Sequence, residues 1–439
     1  MMQKVDTLII GSGPGALAAA YKLATEQSVL VCEDDLWGGT CPNRGCDPKK
    51  MLYAGAEIYA QAQRFQNSGL KGNLEVDWPA LMAFKETYTK NVPSQTKSGL
   101  ETNQIETVQG TAQFQAANQV KINEELYEAK NIIIATGQRP RSLQIPGAKY
   151  AYTSNEFLSL AKMPKHVTVI GAGYIALELS NLARCAGAEV DVIQHNDHPL
   201  KAFPAELASD LVKNMQQTGV NFYFNEEIQA IRKVGASFEV ATNTQTIQTN
   251  WILNATGRVP NVEKLNLEAA GIKSSPAGIE VNDHLETSCA SVYAIGDCLA
   301  KKLPKLTPVA EFEGNYVASN ILAPKPPIRY PSIPTVVFSS LKLAQVGFES
   351  LDPQNAYETK ITDVTNWYNY RRVQEPGAKV MTVIDRSTGN LVAGAILSSS
   401  ADDLINQFAL LINHKISAED VAKTIFAYPS ISADLNYLY

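Results

Sequence analysis

The chain has no uninterrupted apolar run near the ~18 residues of a membrane span. Glycine, proline or charge breaks every candidate, including the stretch from Leu8 to Ala20. That stretch also lacks the charged leader and small-residue cleavage site of a secretory signal. Excess positive charge is missing: 38 Lys and Arg against 44 Asp and Glu leave a net charge of -6. This excludes a general nucleic-acid binder, which needs a basic surface to displace counterions. Cysteine is scarce, with six in 439 residues. Cys32, Cys185, Cys289 and Cys298 are far apart, so no secreted disulfide framework is read. The five histidines are scattered and no second close cysteine pair exists, so a zinc ligand set is lacking as well. With 45 % apolar and 19 % charged residues, the composition is that of a globular chain and not a disordered one. The expectation is a soluble, cytoplasmic protein of two or three domains, without metal, membrane or nucleic-acid partners, with Cys41 and Cys46 reserved for chemistry.

The first motif is at the N-terminus. An apolar run, Val5 to Ile10, passes directly into Gly11-Ser12-Gly13-Pro14-Gly15-Ala16 and a small-residue pattern that predicts a helix to about Ala24. Gly11 permits the tight turn, Gly13 lets the backbone approach a pyrophosphate, and Ala16 allows close helix packing. The helix N-terminus supplies unpaired N–H groups and positive potential for the anion. A second strand, Val29 to Cys32, ends at Glu33, where an acid hydrogen-bonds an adenosine ribose.

The pattern then repeats. His166 to Ile170 leads into Gly171-Ala172-Gly173-Tyr174-Ile175-Ala176, a helix to about Ala186, and a strand from Val190 to Ile193. Here Gln194-His195 follows the strand, with Lys201 further on and no acid at the strand end. An acid would repel a 2′-phosphate, whereas His195 and Lys201 can pair with one, which favours NADPH over NADH. Two merely solvated basic residues are the alternative, and Asp191 and Asp197 are nearby. Each module also has a later punctuated strand, Ile132 to Gly137 and Trp251 to Gly257. Two such modules and a cysteine pair suit electron transfer from a nicotinamide through a flavin to a disulfide.

That pair stands in Gly38-Gly39-Thr40-Cys41-Pro42-Asn43-Arg44-Gly45-Cys46-Asp47-Pro48-Lys49-Lys50. In a straight helix, residues five apart rise about 7.5 Å, beyond the usual Cα separation of a disulfide. The segment must bend, and Pro42 and Gly45 suit a distorted first turn.

With these residues the chain resembles the flavin disulfide reductases, the family of glutathione reductase, dihydrolipoamide dehydrogenase and mercuric reductase. The likeness extends over nearly the whole chain. It includes Thr287-Ser288 followed by Tyr293-Ala294-Ile295-Gly296-Asp297, then Leu306-Thr307-Pro308-Val309-Ala310, and Thr256-Gly257-Arg258-Val259-Pro260-Asn261. The resemblance implies an α/β fold with two Rossmann-like dinucleotide-binding domains and a C-terminal α+β dimerisation domain. FAD would bind residues 1–148 and 258–322, NADPH residues 149–257, and residues 323–439 would form the interface of a homodimer. The FAD set would be Gly11, Gly13, Gly15, Ala16, Glu33, Gly39, Thr40, Lys50, Ala112, Thr136, Gly137, Asp297, Thr307 and Pro308. The NADPH set would be Gly171, Gly173, Tyr174, Ile175, Glu178, His195, Lys201 and Gly257. Cys46 would be the thiolate facing the flavin and Cys41 the thiol that attacks substrate. Lys50 would approach flavin N5 and pair with Glu178, and Tyr174 would cover the empty nicotinamide pocket.

Two departures stand out. Disulfide-reducing members have a C-terminal His-Pro-Thr, with a Glu five residues after the His, which protonates the departing thiolate in the other subunit. Here Tyr428 and Ala433 occupy those positions, Asp434 is one position late, and His414 falls in a different predicted helix. A tyrosine can donate a proton but cannot shuttle one near neutrality as imidazole does. Around the cysteines, Arg44 and Lys49 stand where small or apolar residues are expected, and could favour thiolate or hold an anionic substrate. The implied activity is electron transfer from NADPH through FAD and Cys41–Cys46 to a small disulfide, as in glutathione reductase, with Tyr428 as proton donor. Alternatives are reduction of an oxidised thiocyanate species, metal ion or quinone, or a flavoprotein redox sensor.

Overall fold

The computed structural model describes residues 2–439. It divides into two units. Among the described residues, no helix is long and apolar enough to cross a membrane.

The first unit comprises Met1–Lys50, Phe84–Arg141 and Gly257–Arg329. Its sheet has Gln3–Ile10 at the centre, parallel to Val29–Glu33 on one side and to Glu125–Ile134 on the other, with Ile9 opposite both Val31 and Ile133. Glu106–Gln109 extends one edge. Val292–Ala294 pairs in parallel with Glu125–Ile134, and Gln119–Ile122 and Ala112–Ala116 add an antiparallel extension. Val29–Glu33 is buried along its whole length. Burial on both faces explains why parallel strands read as continuous apolar runs and do not alternate. Helix Pro14–Leu23 buries Gly15, Ala16, Ala19 and Ala20. A Cβ at Gly15 would meet the Ala310 carbonyl oxygen at 2.8 Å, and one at Gly314 would meet the Gly15 carbonyl oxygen at 2.1 Å. Glycines on both helices thus bring helix Thr307–Leu322 against the nucleotide helix, backbone to backbone.

The second unit comprises Met51–Ala83, Ser142–Thr256 and Tyr330–Tyr439. The second glycine module forms a parallel sheet in the order Val220–Phe224, Glu189–Gln194, His166–Ile170, Trp251–Asn254. Beside it in sequence is an antiparallel sheet of Ile228–Val234, Ser237–Thr242 and Thr246–Thr249. The C-terminal segment forms a five-stranded antiparallel sheet in the order Thr335–Phe338, Lys342–Val346, Leu391–Ser398, Lys379–Asp385, Tyr357–Asp363. Helix Ala401–His414 covers one face through Leu404, Ile405 and Phe408. The other face shares one core with the nucleotide module, in which Leu343 and Leu397 cluster with Val167, Val169 and Leu177. A common core explains why the C-terminal segment groups with this module. The turn at Ser387-Thr388-Gly389-Asn390 is secured by Asp385, whose Oδ1 accepts from both Ser387 N and Thr388 N.

Candidate active site

The cysteine turn is shaped by two glycines. Gly39 has φ 70°, and a Cβ there would come within 2.7 Å of the Gly13 Cα, so only glycine lets the turn rest on the first glycine-rich loop. A five-residue helix, Thr40–Arg44, breaks at Gly45, and a new helix, Cys46–Arg64, begins. A Cβ on Gly45 would meet the Thr40 carbonyl oxygen at 2.8 Å and the Cys41 Cα at 3.0 Å. The chain doubles back there, closing the gap that a straight helix would leave between the cysteines. Asn43 Nδ2 secures the bend by donating to the carbonyls of Trp37 (2.9 Å) and Gly39 (2.8 Å). Neither cysteine is in a disulfide, and Cys46 is exposed while Cys41 is partly buried.

Their surroundings are unequal. The hydrogen bond with Cys46 and burial both push the Cys41 pKa up, the nearby Asp47 charge adds to this, and a hydrogen bond with Thr307 opposes it. Cys41 Sγ donates to Asp47 Oδ1 at 3.7 Å. Asp47 Oδ2 accepts from Tyr88 Oη at 2.8 Å, and that bond, with burial, pushes the Tyr88 phenol up to about 12. Sequence reading missed this trio. Asp47 directly follows Cys46, a signal that was available, but nothing in the sequence links Tyr88 to it, 41 residues away.

In the first glycine module, Gly11 has φ 104° and a Cβ would strike the Ala135 carbonyl oxygen at 2.5 Å. Gly13 faces open space, with no atom within 4 Å of a built Cβ. It is the N-cap of a helix with proline in its first turn and no side-chain cap, which leaves N–H groups for an anion. The Thr136 hydroxyl, at the adjoining strand end, is buried without a partner. An open cradle, uncapped donors and an orphaned hydroxyl fit a dinucleotide. Glu33 is buried, and its Oε2 accepts from Ser12 N (3.0 Å) and Ser12 Oγ (2.6 Å). Burial raises its pKa against those bonds. Asp297 is likewise raised by burial, opposed by the charges of Lys305 and Arg258. Ala112 is buried in its strand, Gly137 has φ 63°, and Thr307 and Pro308 open helix Thr307–Leu322.

The second module repeats this geometry. Gly171 has φ 104° and its Cβ would meet the Ala255 carbonyl oxygen at 2.6 Å, while Gly173 again faces open space. Ala172 N donates to Gln194 Oε1 at 3.0 Å, the counterpart of Ser12 N on Glu33. A neutral amide thus occupies the place that Glu33 holds in the first module. His195 and Lys201 are exposed on the segment after the strand. The two acids nearby are occupied, Asp191 with His166 Nε2 at 2.8 Å and Asp197 with His198 Nε2 at 3.2 Å. Tyr174 and Ile175 open helix Tyr174–Cys185, and Gly257 has φ 121°.

Of the other residues singled out, Glu178 is buried and its Oε1 accepts from Phe338 N at 2.9 Å. Lys50 is in the first unit and Glu178 in the second. Arg44 forms an ion pair with Asp35, so its charge is already balanced. Lys49 is buried, not solvated. Tyr428 is exposed and stacks on Tyr368 with centroids 6.0 Å apart. Asp434, the nearest substitute for the absent tail acid, is buried instead and accepts from Asn369 Nδ2 at 3.0 Å, which fastens the tail and leaves Tyr428 unoriented by it.

Residues 5–314 match the family described as pyridine nucleotide-disulphide oxidoreductase, and residues 333–438 match its dimerisation domain. The chain is similar to dihydrolipoyl dehydrogenase of Bacillus subtilis, at 32 % identity over 98 % of this chain and 94 % of the relative. Against the same enzyme of Geobacillus stearothermophilus the identity is 30 %, with the same coverage. Glutathione reductase of a Nostoc species is 29 % identical over 97 % of each chain.

Proposed function

Because the chain belongs to the pyridine nucleotide-disulphide oxidoreductase family, we propose that this FAD-dependent, NAD(P)H-oxidising enzyme takes electrons from NADPH and reduces a low-molecular-weight disulfide, of which glutathione disulfide is the first to test. The observation that supports it best is the doubled-back cysteine turn resting on the first glycine-rich loop, with two thiols in mutual contact and one of them exposed. The bound flavin supplies two-electron exchange between nicotinamide and the cysteine pair. Gly11, Gly13, Glu33, Gly39, Thr136 and Asp297 would hold it. Lys50 would stand beside it, and Cys46 would be the thiol next to it. The neutral Gln194 with exposed His195 and Lys201 supports NADPH over NADH, and the match to the dimerisation domain supports a homodimer.

A second reading is favoured by the tail, which has Tyr428 and Ala433 where a histidine and a glutamate would protonate a thiolate. It is reduction of an electrophile, such as an oxidised thiocyanate species, a metal ion or a quinone, which releases no alkyl thiolate that the tail would have to protonate.

Steady-state NADPH oxidation with glutathione disulfide, lipoamide, a quinone and hypothiocyanite separates the two. Turnover of a disulfide at least tenfold above the other acceptors is expected, and a disulfide rate at background would refute the first reading. The cysteine assignment is checked by anaerobic two-electron reduction. A long-wavelength absorbance band is expected in the wild type and not in Cys46→Ser, and a variant that keeps the band removes Cys46 from the flavin's side.

A further inference from the structure

The tail lacks an imidazole, but an oxygen acid already touches the attacking thiol. Asp47 Oδ1 accepts from Cys41 Sγ at 3.7 Å, and Tyr88 Oη donates to the other oxygen at 2.8 Å. We propose that Asp47 is a catalytic residue that carries the Cys41 proton to the departing thiolate of the substrate, and that Tyr88 is the positioning residue that aims its carboxylate. The inference rests on the reading of the enzyme as a disulfide reductase.

The groups facing Cys41 are Cys46, Thr307 and Asp47, with Tyr88 behind Asp47. Asp47 is in the first turn of helix Cys46–Arg64, where the helix N-terminus favours a negative side chain. Tyr88 keeps its proton well above neutrality, since the carboxylate bond pushes its phenol up to about 12. One oxygen of Asp47 is therefore held by a permanent donor, and the other is left for the thiol.

The reaction balances from the reduced pair, Cys41 as thiol and Cys46 as thiolate. Cys41 passes its proton to Asp47 Oδ1 while its sulfur bonds to the nearer substrate sulfur and the substrate S–S bond breaks. The first thiolate leaves with the proton now on Asp47, restoring the carboxylate. Cys46 then attacks Cys41 Sγ, closes the Cys41–Cys46 disulfide and expels the second thiolate. Two electrons have moved from the cysteine pair to the substrate, which departs as one thiol and one thiolate. Without the carrier, the first leaving group must depart as a free thiolate, which is slow for an alkyl thiol and easy for an acidic aromatic one.

The test uses the prereduced holoenzyme and two unspecific disulfides, bis(2-hydroxyethyl) disulfide with an alkyl leaving group and dithiobis(nitrobenzoate) with an acidic aromatic one. Asp47→Asn should slow the alkyl disulfide by about 10²-fold, the low end for loss of a general acid, and the aromatic one by less than threefold. Tyr88→Phe should show the same selectivity with a smaller loss, about tenfold. Alkylation of Cys41 by iodoacetamide should become faster at pH 7 in Asp47→Asn, because a like charge beside the thiol has gone. A variant whose nucleophile is more reactive yet whose alkyl turnover is slower is not explained by damage to the fold. Equal losses on the two disulfides, an unmoved alkylation profile, or a greater loss in Tyr428→Phe than in Asp47→Asn would each overturn the proposal. A wild type that reduces both probes but not glutathione disulfide would refute the substrate reading and leave this test intact.

Discussion

Gln194→Glu should convert the second nucleotide module to the ribose chemistry of the first. Gln194 Oε1 takes the Ala172 amide at 3.0 Å as Glu33 Oε2 takes that of Ser12 at 3.0 Å, so the new carboxylate would inherit the place of the acid with one atom changed. His195 and Lys201 are exposed, so the site is wet and an effective dielectric near 40 is suitable. Over about 6 Å this gives roughly 1.4 kcal/mol per unit charge, or about 2 to 3 kcal/mol against a nearly dianionic 2′-phosphate. The bond to a ribose hydroxyl, now to a charged acceptor, gains about 1 kcal/mol for NADH. Together the ratio of kcat/KM for NADPH to that for NADH should fall by about 10² to 10³. A local cost opposes folding: Gln194 Nε2 donates to Asn196 Oδ1 at 2.7 Å, and Asn196 must turn its amide, although its Oδ1 also holds His198 N. The assay is initial-rate kinetics with both nucleotides at low ionic strength, and repeating it in added salt should shrink the effect. A ratio within threefold of the wild type would show that the strand end does not face the adenosine ribose.

Two further predictions concern stability. Gly314→Ala places a Cβ 2.1 Å from the Gly15 carbonyl oxygen, so the two helices must part; a loss of at least the ~1 to 3 kcal/mol of core overpacking is expected, read as a lower thermal midpoint and weaker flavin retention, and an unchanged midpoint would contradict the close approach. Asp191 raises the His166 pKa, chiefly through their hydrogen bond, so this pair stabilises the fold fully below the ordinary histidine pKa and progressively less as pH rises through the raised value. The difference in thermal midpoint between the wild type and His166→Asn should therefore widen from pH 9 to pH 5.5, and one that narrows would reverse the assignment.

The parts of the fold legible in sequence are those where one physical demand acts alone. Val5 to Ile10 reads as a buried strand because both its faces are covered, and Gly11 and Gly171 read as turns because a carbonyl oxygen stands where a Cβ would be. Strand Lys342–Val346 does not read as a buried strand because, though wholly buried, it contains Lys342 and Gln345. Burial of the lysine depends on Glu57 at 2.8 Å and Asp402 at 2.9 Å, both distant in sequence. The contact of Gly15 with Gly314 was invisible for the same reason: sequence marks each glycine but not the helix it meets. At the site, spacing revealed the bend between the cysteines. Arg44 could not be interpreted without its partner Asp35, nor Asp47 without Tyr88.

The seat of Gly39 on Gly13 joins two functions that sequence writes as separate motifs. With 2.7 Å between a built Cβ on one glycine and the Cα of the other, there is no room for a side chain between the glycine-rich loop and the start of the cysteine turn. A displacement of the glycine-rich loop therefore has to move the start of the cysteine turn with it. The rate of iodoacetamide alkylation of the cysteine pair should accordingly differ between enzyme with and without its FAD, and equal rates would show that loop and turn move independently.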